Sequence, residues 1–528
     1  MTLEEKIDML HGEFGPYVFY NEPIERLGIP ALAMDDGPAG VRITNPEVNG
    51  GKATAFPAPI ALASTWDPEM ALRFGDVISE EAFNTGHNVL LAPAVDIARV
   101  PLAGRVFEAF GEDPLIQAKN AVAVTRGIQR HPVSATVKHY NVYNQETDRF
   151  FVSANIGERA LQEIYTTPFE AAVEQARPGA IMCAYNRVNG VFGCENRRLL
   201  TGILKRQLGF RGWVMSDFAA TSSTVKAARA GLDQEMPSEV FFGDQLLAAV
   251  RSGAVSRTLI NDKVLRILRE MFRLGLFDQP VRFSGFDERA HGAFARQVAE
   301  RAAVLLKNAR STLPLSAEKL GSVAVIGADA DNASAAGGGS SHVDPTYTVS
   351  PLQGIRRRVG AGVTVAHAPG TDPVSAVSLL PGPPPVPSSV LSPPGAEPSV
   401  DGLRARYWTN TQFAGQPALV RNDLQAAANL GLVFAHPALQ ASSLPTVPFE
   451  LIGTPISVRW TGTITAPATG TYDLSLTSLG SSRVFLDGKL LVDHSGRHDL
   501  ETRTASVRLV AGEPHAIRVD YAADHPSV

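Results

Sequence analysis

Five short apolar runs in the first half of the chain end abruptly in residues that can do chemistry. ALAMDD closes on Asp35 and Asp36, and LLAPAVDIAR carries Asp96 and Arg99. ATVKHY closes on Lys138 and His139, AIMCAYN on Tyr185 and Asn186, and WVMSD on Ser216 and Asp217. Carboxylates, cations, an imidazole and a phenol together suit a polyhydroxylated ligand. Each hydroxyl of such a ligand both donates and accepts, and a charged partner strengthens the bond. One strand-end charge by itself reads as a solvated loop residue. Five in succession point to a site.

The runs alternate with amphipathic helical stretches at Pro68–Asn84, Pro114–Gln129, Glu158–Gln175 and Ser256–Leu274. Such alternation over about 280 residues predicts a (β/α) barrel, in which C-terminal strand ends converge on one mouth. The chain opens on a capping box, Thr2 with Glu5, and Leu3, Ile7 and Leu10 share one helical face. A second α/β unit is expected from near Phe294, with a helix at Phe294–Ala303 and strands at Val304–Lys307 and Val323–Ile326. Nine of the 37 prolines crowd residues 373–398, which predicts an extended linker. Beyond it, strict alternation at Thr471–Thr477 and Thr504–Leu509, with an Asp487-Gly488 turn, predicts a β-sandwich.

Composition bounds the partners. Against 48 Lys and Arg stand 53 Asp and Glu, a net charge of −5, which argues against nucleic acid and against an anionic membrane. No run approaches the roughly 18 apolar residues of a membrane span. Glu4, Glu5, Lys6 and Asp8 leave no room for a signal-peptide apolar core. Cys183 and Cys194 cannot make a disulfide framework or a four-cysteine zinc site, and are expected as small buried thiols. With no leader and two unpaired thiols, a cytoplasmic location is expected.

Five strings occur in an order that resembles glycoside hydrolase family 3: MDDGPAGVR (34–42), PLAGRVFEAFGEDP (101–114), VKHYNVYNQETDR (137–149), IMCAYNRVNG (181–190) and WVMSDF (213–218). VLLKN (304–308), GGGSS (337–341) and SPLQGI (350–355) resemble the start of that family's second, α/β-sandwich domain. LRARYW (403–408), RWTGTITAPATGTYDL (459–474) and VFLDGKLLVD (484–493) resemble a protective-antigen-14 β-sandwich inserted in some β-glucosidases. The resemblance implies a TIM-like barrel over 1–285, the start of a second domain over 286–372, a linker over 373–400 and the β-sandwich over 401–528.

It also implies roles. Asp217 resembles the nucleophile that attacks the anomeric carbon and forms a glycosyl-enzyme; the competing reading is a helix N-cap. Asp36 resembles the residue that holds the outer hydroxyls of the terminal sugar, while Asp35 falls outside the motif slot and reads as loop. Arg42, Arg105, Lys138, His139 and Arg149 match hydroxyl-binding cations, with an ion pair orienting Asp36 as the alternative for Arg42 and Arg149. Tyr185 matches a phenol that hydrogen-bonds the nucleophile, with a plain core tyrosine as the alternative. Ser340 is expected on a sugar-edge loop, since GGGSS lacks the Gly-Lys-Ser/Thr of a phosphate cradle.

The implied activity is exo-acting retaining β-glycoside hydrolysis, most directly of β-glucosides, with no metal or organic cofactor. The family's acid/base glutamate lies after the insert, so none is assigned among these residues, and a catalytically impaired fragment of a longer enzyme is expected. A β-xylosidase or arabinosidase is the alternative enzyme, and a non-hydrolytic carbohydrate-binding protein the alternative class. KHYNVYNQETDR lacks the Pro-Gly-His-Gly histidine of the β-N-acetylhexosaminidase branch. Homo-oligomerisation is left open.

Overall fold

The computed structural model describes residues 1–281, 283–333, 335, 337–368, 370, 382–395, 400–427, 455–496 and 498–524. They form two units: Met1–Ser311 with Ala335–Thr348, and Thr312–Ser334 with Val349–Val528. Among the described residues no helix is long and apolar enough to cross a membrane.

The first unit is built on six strands in sequence order, β1 (Phe19–Asn21), β2 (Leu32–Asp36), β3 (Val89–Leu91), β4 (Ser134–Tyr140), β5 (Ala180–Cys183) and β6 (Trp213–Ser216). All neighbours after the antiparallel β1–β2 pair are parallel. Every residue of β2 to β6 is buried, as strands sandwiched between barrel interior and helices must be. The sheet then curls onward through single bridges. Met215 pairs with Gln234, Glu235 with His11, and Glu13 with Tyr20 of β1. Hydrogen bonds at 2.8–3.0 Å seal these junctions, from Gly12 N to Glu235 O, Gln234 N to Val214 O and Glu13 N to Tyr20 O. The ring is thereby closed, and the (β/α) barrel is the observed architecture.

Helices cover the strands where the periodicity places them. Pro68–Asn84 and Pro114–Ile128 each carry an aspartate N-cap, Asp67 and Asp113, with proline at N1. The two pack closely enough that a Cβ at Gly75 would lie 2.3 Å from Val124 O, and one at Gly127 2.1 Å from Leu72 O. Thr2 and Glu5 form the expected capping box. The helix Glu288–Ala302, expected to open the second domain, belongs to the first unit.

Two expectations are corrected in this unit. Val304–Lys307 is not a strand; no described strand pairs with it, and Val304, Leu305 and Leu306 are all exposed. Cys183 and Cys194 are not separate thiols. A short loop brings their Cα atoms to 5.3 Å, within disulfide range, and the sulfurs are bonded. The argument from unpaired thiols to a reducing compartment therefore loses its premise.

In the second unit, Ser322–Ile326 and Thr364–Ala368 pair in parallel, and Ser350 caps the helix Pro351–Val359 through Gln353 N. A larger antiparallel sheet holds Leu403–Trp408, Leu419–Asp423, Ile456–Thr465, Ser481–Leu486, Lys489–His494 and Pro514–Ala523. Gly470–Ser478 and Glu501–Leu509 form a separate ribbon. Alternation puts Ala405, Tyr407, Val458, Trp460, Val484 and Val519 into one core. Buried Asp423 accepts from the Tyr407 hydroxyl at 2.6 Å, Trp460 Nε1 at 2.9 Å and Arg421 Nε at 2.7 Å. Asp487 and Gly488 both have positive φ, as the mirror-image turn between two strands requires. Much of the proline-rich stretch lies outside the described residues. Within it Leu391–Ser392 pairs with Thr463–Ile464, so this part joins the sheet and is no free linker.

Candidate active site

The barrel mouth collects the predicted residues into three adjoining clusters. In the first, Asp36 ends β2 and Lys138 lies near the end of β4. Lys138 Nζ stands 2.5 Å from Asp36 Oδ1, and Arg42 3.6 Å from Asp36 Oδ2. All three are buried. Arg42 returns to Asp36 because the chain turns at Gly40, whose φ is +126° and where a Cβ would meet Thr54 O at 2.3 Å. A carboxylate flanked by two cations can accept two neighbouring hydroxyls without being left unpaired.

The second cluster surrounds Arg105. Its guanidinium is bound to Glu108 and donates to Tyr143 Oη at 3.3 Å, His139 Nε2 at 3.1 Å and Ser340 Oγ at 3.2 Å. The adjacent Ser341 hydroxyl is bound to Glu108, so the Gly337–Ser341 loop is docked on this arginine. Burial drives the Glu108 carboxyl up, but Arg105 and Lys138 outweigh it and hold it at about 2. An anionic Glu108 bound to Arg105 is a poor proton donor. His139 Nδ1 is 2.7 Å from Asp96 Oδ2, and Nε2 is 3.6 Å from Asp217 Oδ2. Burial, with Arg105 beside it, pushes the imidazole down to about 3, so it is neutral.

Asp217 follows β6 directly. Its own N–H donates to Cys183 O at 3.2 Å, its Oδ1 accepts from Phe218 N at 2.7 Å, and its buried Oδ2 has no hydrogen-bond partner. The next helix, Val225–Ala230, has Thr224 at its N-cap, which removes the capping reading. A buried carboxylate oxygen aimed into a ring of hydroxyl-binding groups is what a nucleophile for an anomeric carbon needs.

The third cluster holds Arg149 and Tyr185. Arg149 pairs with Glu146 at 2.9 Å and lies 4.7 Å over the Tyr185 ring. The structure does not pair Arg149 with Asp36, so of the two arginines only Arg42 fits the orienting ion-pair reading. No hydrogen bond joins Tyr185 to Asp217. Burial first, then the Asp217 charge, raises the phenol well above its usual range. Asn186 donates to Val142 O at 3.3 Å and Arg187 O at 3.1 Å, and so supports backbone.

Asp35 is corrected from loop to buried strand residue. It faces away from Asp36, bonded to His87 Nε2 at 3.3 Å and the Thr44 hydroxyl at 3.0 Å. Sequence reasoning left Asp96, Glu108, Tyr143, Glu146 and Ser341 out of the site. Asp96 carried the signal of a place at a strand end, and the other four lie within the motif strings that carry the family resemblance. Among the described residues no group of three His, Cys, Asp or Glu is placed to hold a metal. A cavity of about 520 Å³ lies at the opposite end, where residues 131–132 lead into β4. Its charges are already satisfied, Arg130 and His131 by Asp76 and Arg273 by Glu270.

Fold and site define a (β/α)-barrel protein whose strand ends gather buried carboxylates, cations and an imidazole at one mouth. Residues 20–270 match the glycosyl hydrolase family 3 N terminal domain, and residues 399–528 the PA14 domain. The chain belongs to glycosyl hydrolase family 3 and carries a PA14 domain. It is 36% identical to a beta-glucosidase of Rhizobium radiobacter over 542 residues, covering 100% of this chain and 62% of the relative. It is 39% identical over 378 residues to the thermostable beta-glucosidase B of Acetivibrio thermocellus, covering 70% of this chain and 49% of that one. Among solved structures, the beta-glucosidase from Kluyveromyces marxianus in complex with glucose superposes with a TM-score of 0.70 at 28% identity. The match covers 99% of this chain and 62% of that one. DesR, a beta-glucosidase from Streptomyces venezuelae in complex with D-glucose, gives 0.69 at 32%, covering 99% and 61%. The chain thus spans about 60% of the length of these full-coverage relatives.

Proposed function

We propose that the chain carries the sugar-binding and nucleophilic half of an exo-acting retaining β-glycosidase, acting on terminal β-D-glucosyl residues. The observation that carries this reading is the free, buried Oδ2 of Asp217 beside His139, Arg105 and the Asp36–Lys138–Arg42 cluster. Asp36 with its two cations takes the outer hydroxyls, Arg105 and His139 take further hydroxyls, and Asp217 attacks the anomeric carbon from below. Water later releases the glycosyl-enzyme. The names of the relatives support glucose over a pentose.

A fluorinated glucoside with an activated leaving group tests it, since such sugars accumulate as the glycosyl-enzyme. Mass spectrometry of digested protein is expected to find the sugar on the peptide containing Asp217, and Asp217→Ala is expected to show none. Labelling of another carboxylate in the native chain overturns the assignment.

A second reading, carbohydrate binding without hydrolysis, draws on one observation. Asp36, Asp96 and Glu108 are each held by their own partners, and none is offered to a leaving group. Glucose binding with neither labelling nor turnover decides for it.

A further inference from the structure

The carboxylate of Asp96 takes two bonds from one neighbour. His139 N donates to Oδ1 at 3.2 Å, and His139 Nδ1 lies 2.7 Å from Oδ2. The other ring nitrogen meets Arg105 at 3.1 Å. A guanidinium only donates, so Nε2 must be the acceptor. A neutral imidazole with Nε2 bare carries its proton on Nδ1, where Asp96 accepts it.

The choice matters because Nε2 stands 3.6 Å from Asp217 Oδ2. A proton on Nε2 would reach toward that oxygen, tie up a lone pair and collide with the donors of Arg105. We infer that Asp96 is a positioning residue: it fixes His139 as the Nδ1–H tautomer, keeping Arg105 on Nε2 and the nucleophilic oxygen free. The charged and titratable groups facing His139 are Asp96, Asp217, Arg105, Glu108 and Lys138, and the Tyr143 ring lies 5.1 Å away. Burial raises the Asp96 carboxyl to about 7, so a measurement at pH 8 finds it ionised. The inference rests on Asp217 being the nucleophile, but the tautomer can be read without any turnover.

Asparagine at 96 separates the two arrangements. The backbone N–H of His139 holds the amide oxygen, which leaves the amide NH₂ facing Nδ1 and demands a bare Nδ1. Protein labelled with ¹⁵N-histidine would be examined by NMR at pH 8, His139 being assigned by its loss in His139→Gln. Native protein is expected to show Nδ1 protonated and Nε2 bare. Asp96→Asn is expected to show the reverse, and Asp96→Glu to restore the native pattern. On dinitrophenyl β-glucoside, Asp96→Asn is expected to lower kcat about tenfold or more, as a misplaced hydrogen bond at the reacting oxygen should, with KM moving much less. A native spectrum with the proton on Nε2 overturns the inference even if no variant folds. So does Asp96→Asn with an unchanged tautomer, or a swapped tautomer with native kcat. Absence of turnover in native protein, with the nitrogen shifts as expected, counts against the hydrolase reading and supports the tautomer assignment.

Discussion

Lys138 and Arg42 serve Asp36 unequally. Lys138 sits at contact distance and is almost wholly buried, whereas Arg42 stands a full ångström further off. Removing Lys138 leaves a buried carboxylate with one distant cation, and breaking a buried pair in this way costs about 3–5 kcal/mol. Lys138→Ala is therefore expected to lower the urea midpoint and to weaken glucose binding more than tenfold, the latter measured by calorimetry. Arg42→Ala is expected to do less on both counts. Equal effects, or a larger one for Arg42, would show that the geometry of the pair does not set its energetics.

The close approach of Pro68–Asn84 to Pro114–Ile128 depends on having no side chain at Gly75 and Gly127, because carbonyls occupy the space a Cβ needs. Gly127→Ala is expected to force the helices apart and to cost about 1–3 kcal/mol, read from urea unfolding. A second element-level test uses Glu235, at the seam of the barrel. Burial pushes its carboxyl up to about 7 although Phe241 and Phe242 donate to it from their backbones. The folded chain then binds more protons than the unfolded chain between the ordinary carboxylate range and pH 7. Glu235 is thus expected to make stability fall as pH rises through that window, its own share being at most about 1.4 kcal/mol per pH unit. Glu235→Gln keeps an acceptor and is expected to flatten the slope; an unchanged slope would exclude Glu235 as its source. Elements and strand ends were legible in the sequence because they obey local rules. Pro68–Asn84 announces itself by Asp67, Pro68 and its apolar face, and Asp36, Lys138, His139 and Asp217 by where their strands stop. Partnerships were not legible, since they depend on which strand ends meet. Ser341 reaches Glu108 across 233 residues, and Asp96 reaches His139 only because β3 and β4 are neighbours. The bond from Cys183 to Cys194 required the intervening loop to fold back, which two cysteines in a row of letters do not reveal.

For the molecule as a whole, the uneven supply of chemical groups has a kinetic signature. On the proposed function the barrel offers a nucleophile and a sugar pocket, while its remaining site carboxylates are taken up by cations or by His139. Departure of a poor leaving group needs a proton donor, and that of a dinitrophenolate barely does. This chain is expected to cleave dinitrophenyl β-glucoside at least about a hundredfold faster than cellobiose, a margin in the range general acid catalysis supplies. Comparable rates on both would reveal an acid among the carboxylates that cations and His139 hold in the structure.

The closing of the ring by His11–Glu13 and Gln234–Glu235 also sets an order of events during synthesis. The segment His11–Glu13 is made first, and its partner emerges from the ribosome more than two hundred residues later. At roughly 5–20 residues per second, the nascent barrel waits on the order of ten to forty seconds with one edge open. Strands β1 to β6 can add one after another in that interval, each beside its predecessor, but Asp217 at the end of β6 gains its final wall only with the last bridge. Competence of the pocket is thus tied to the last step of barrel assembly.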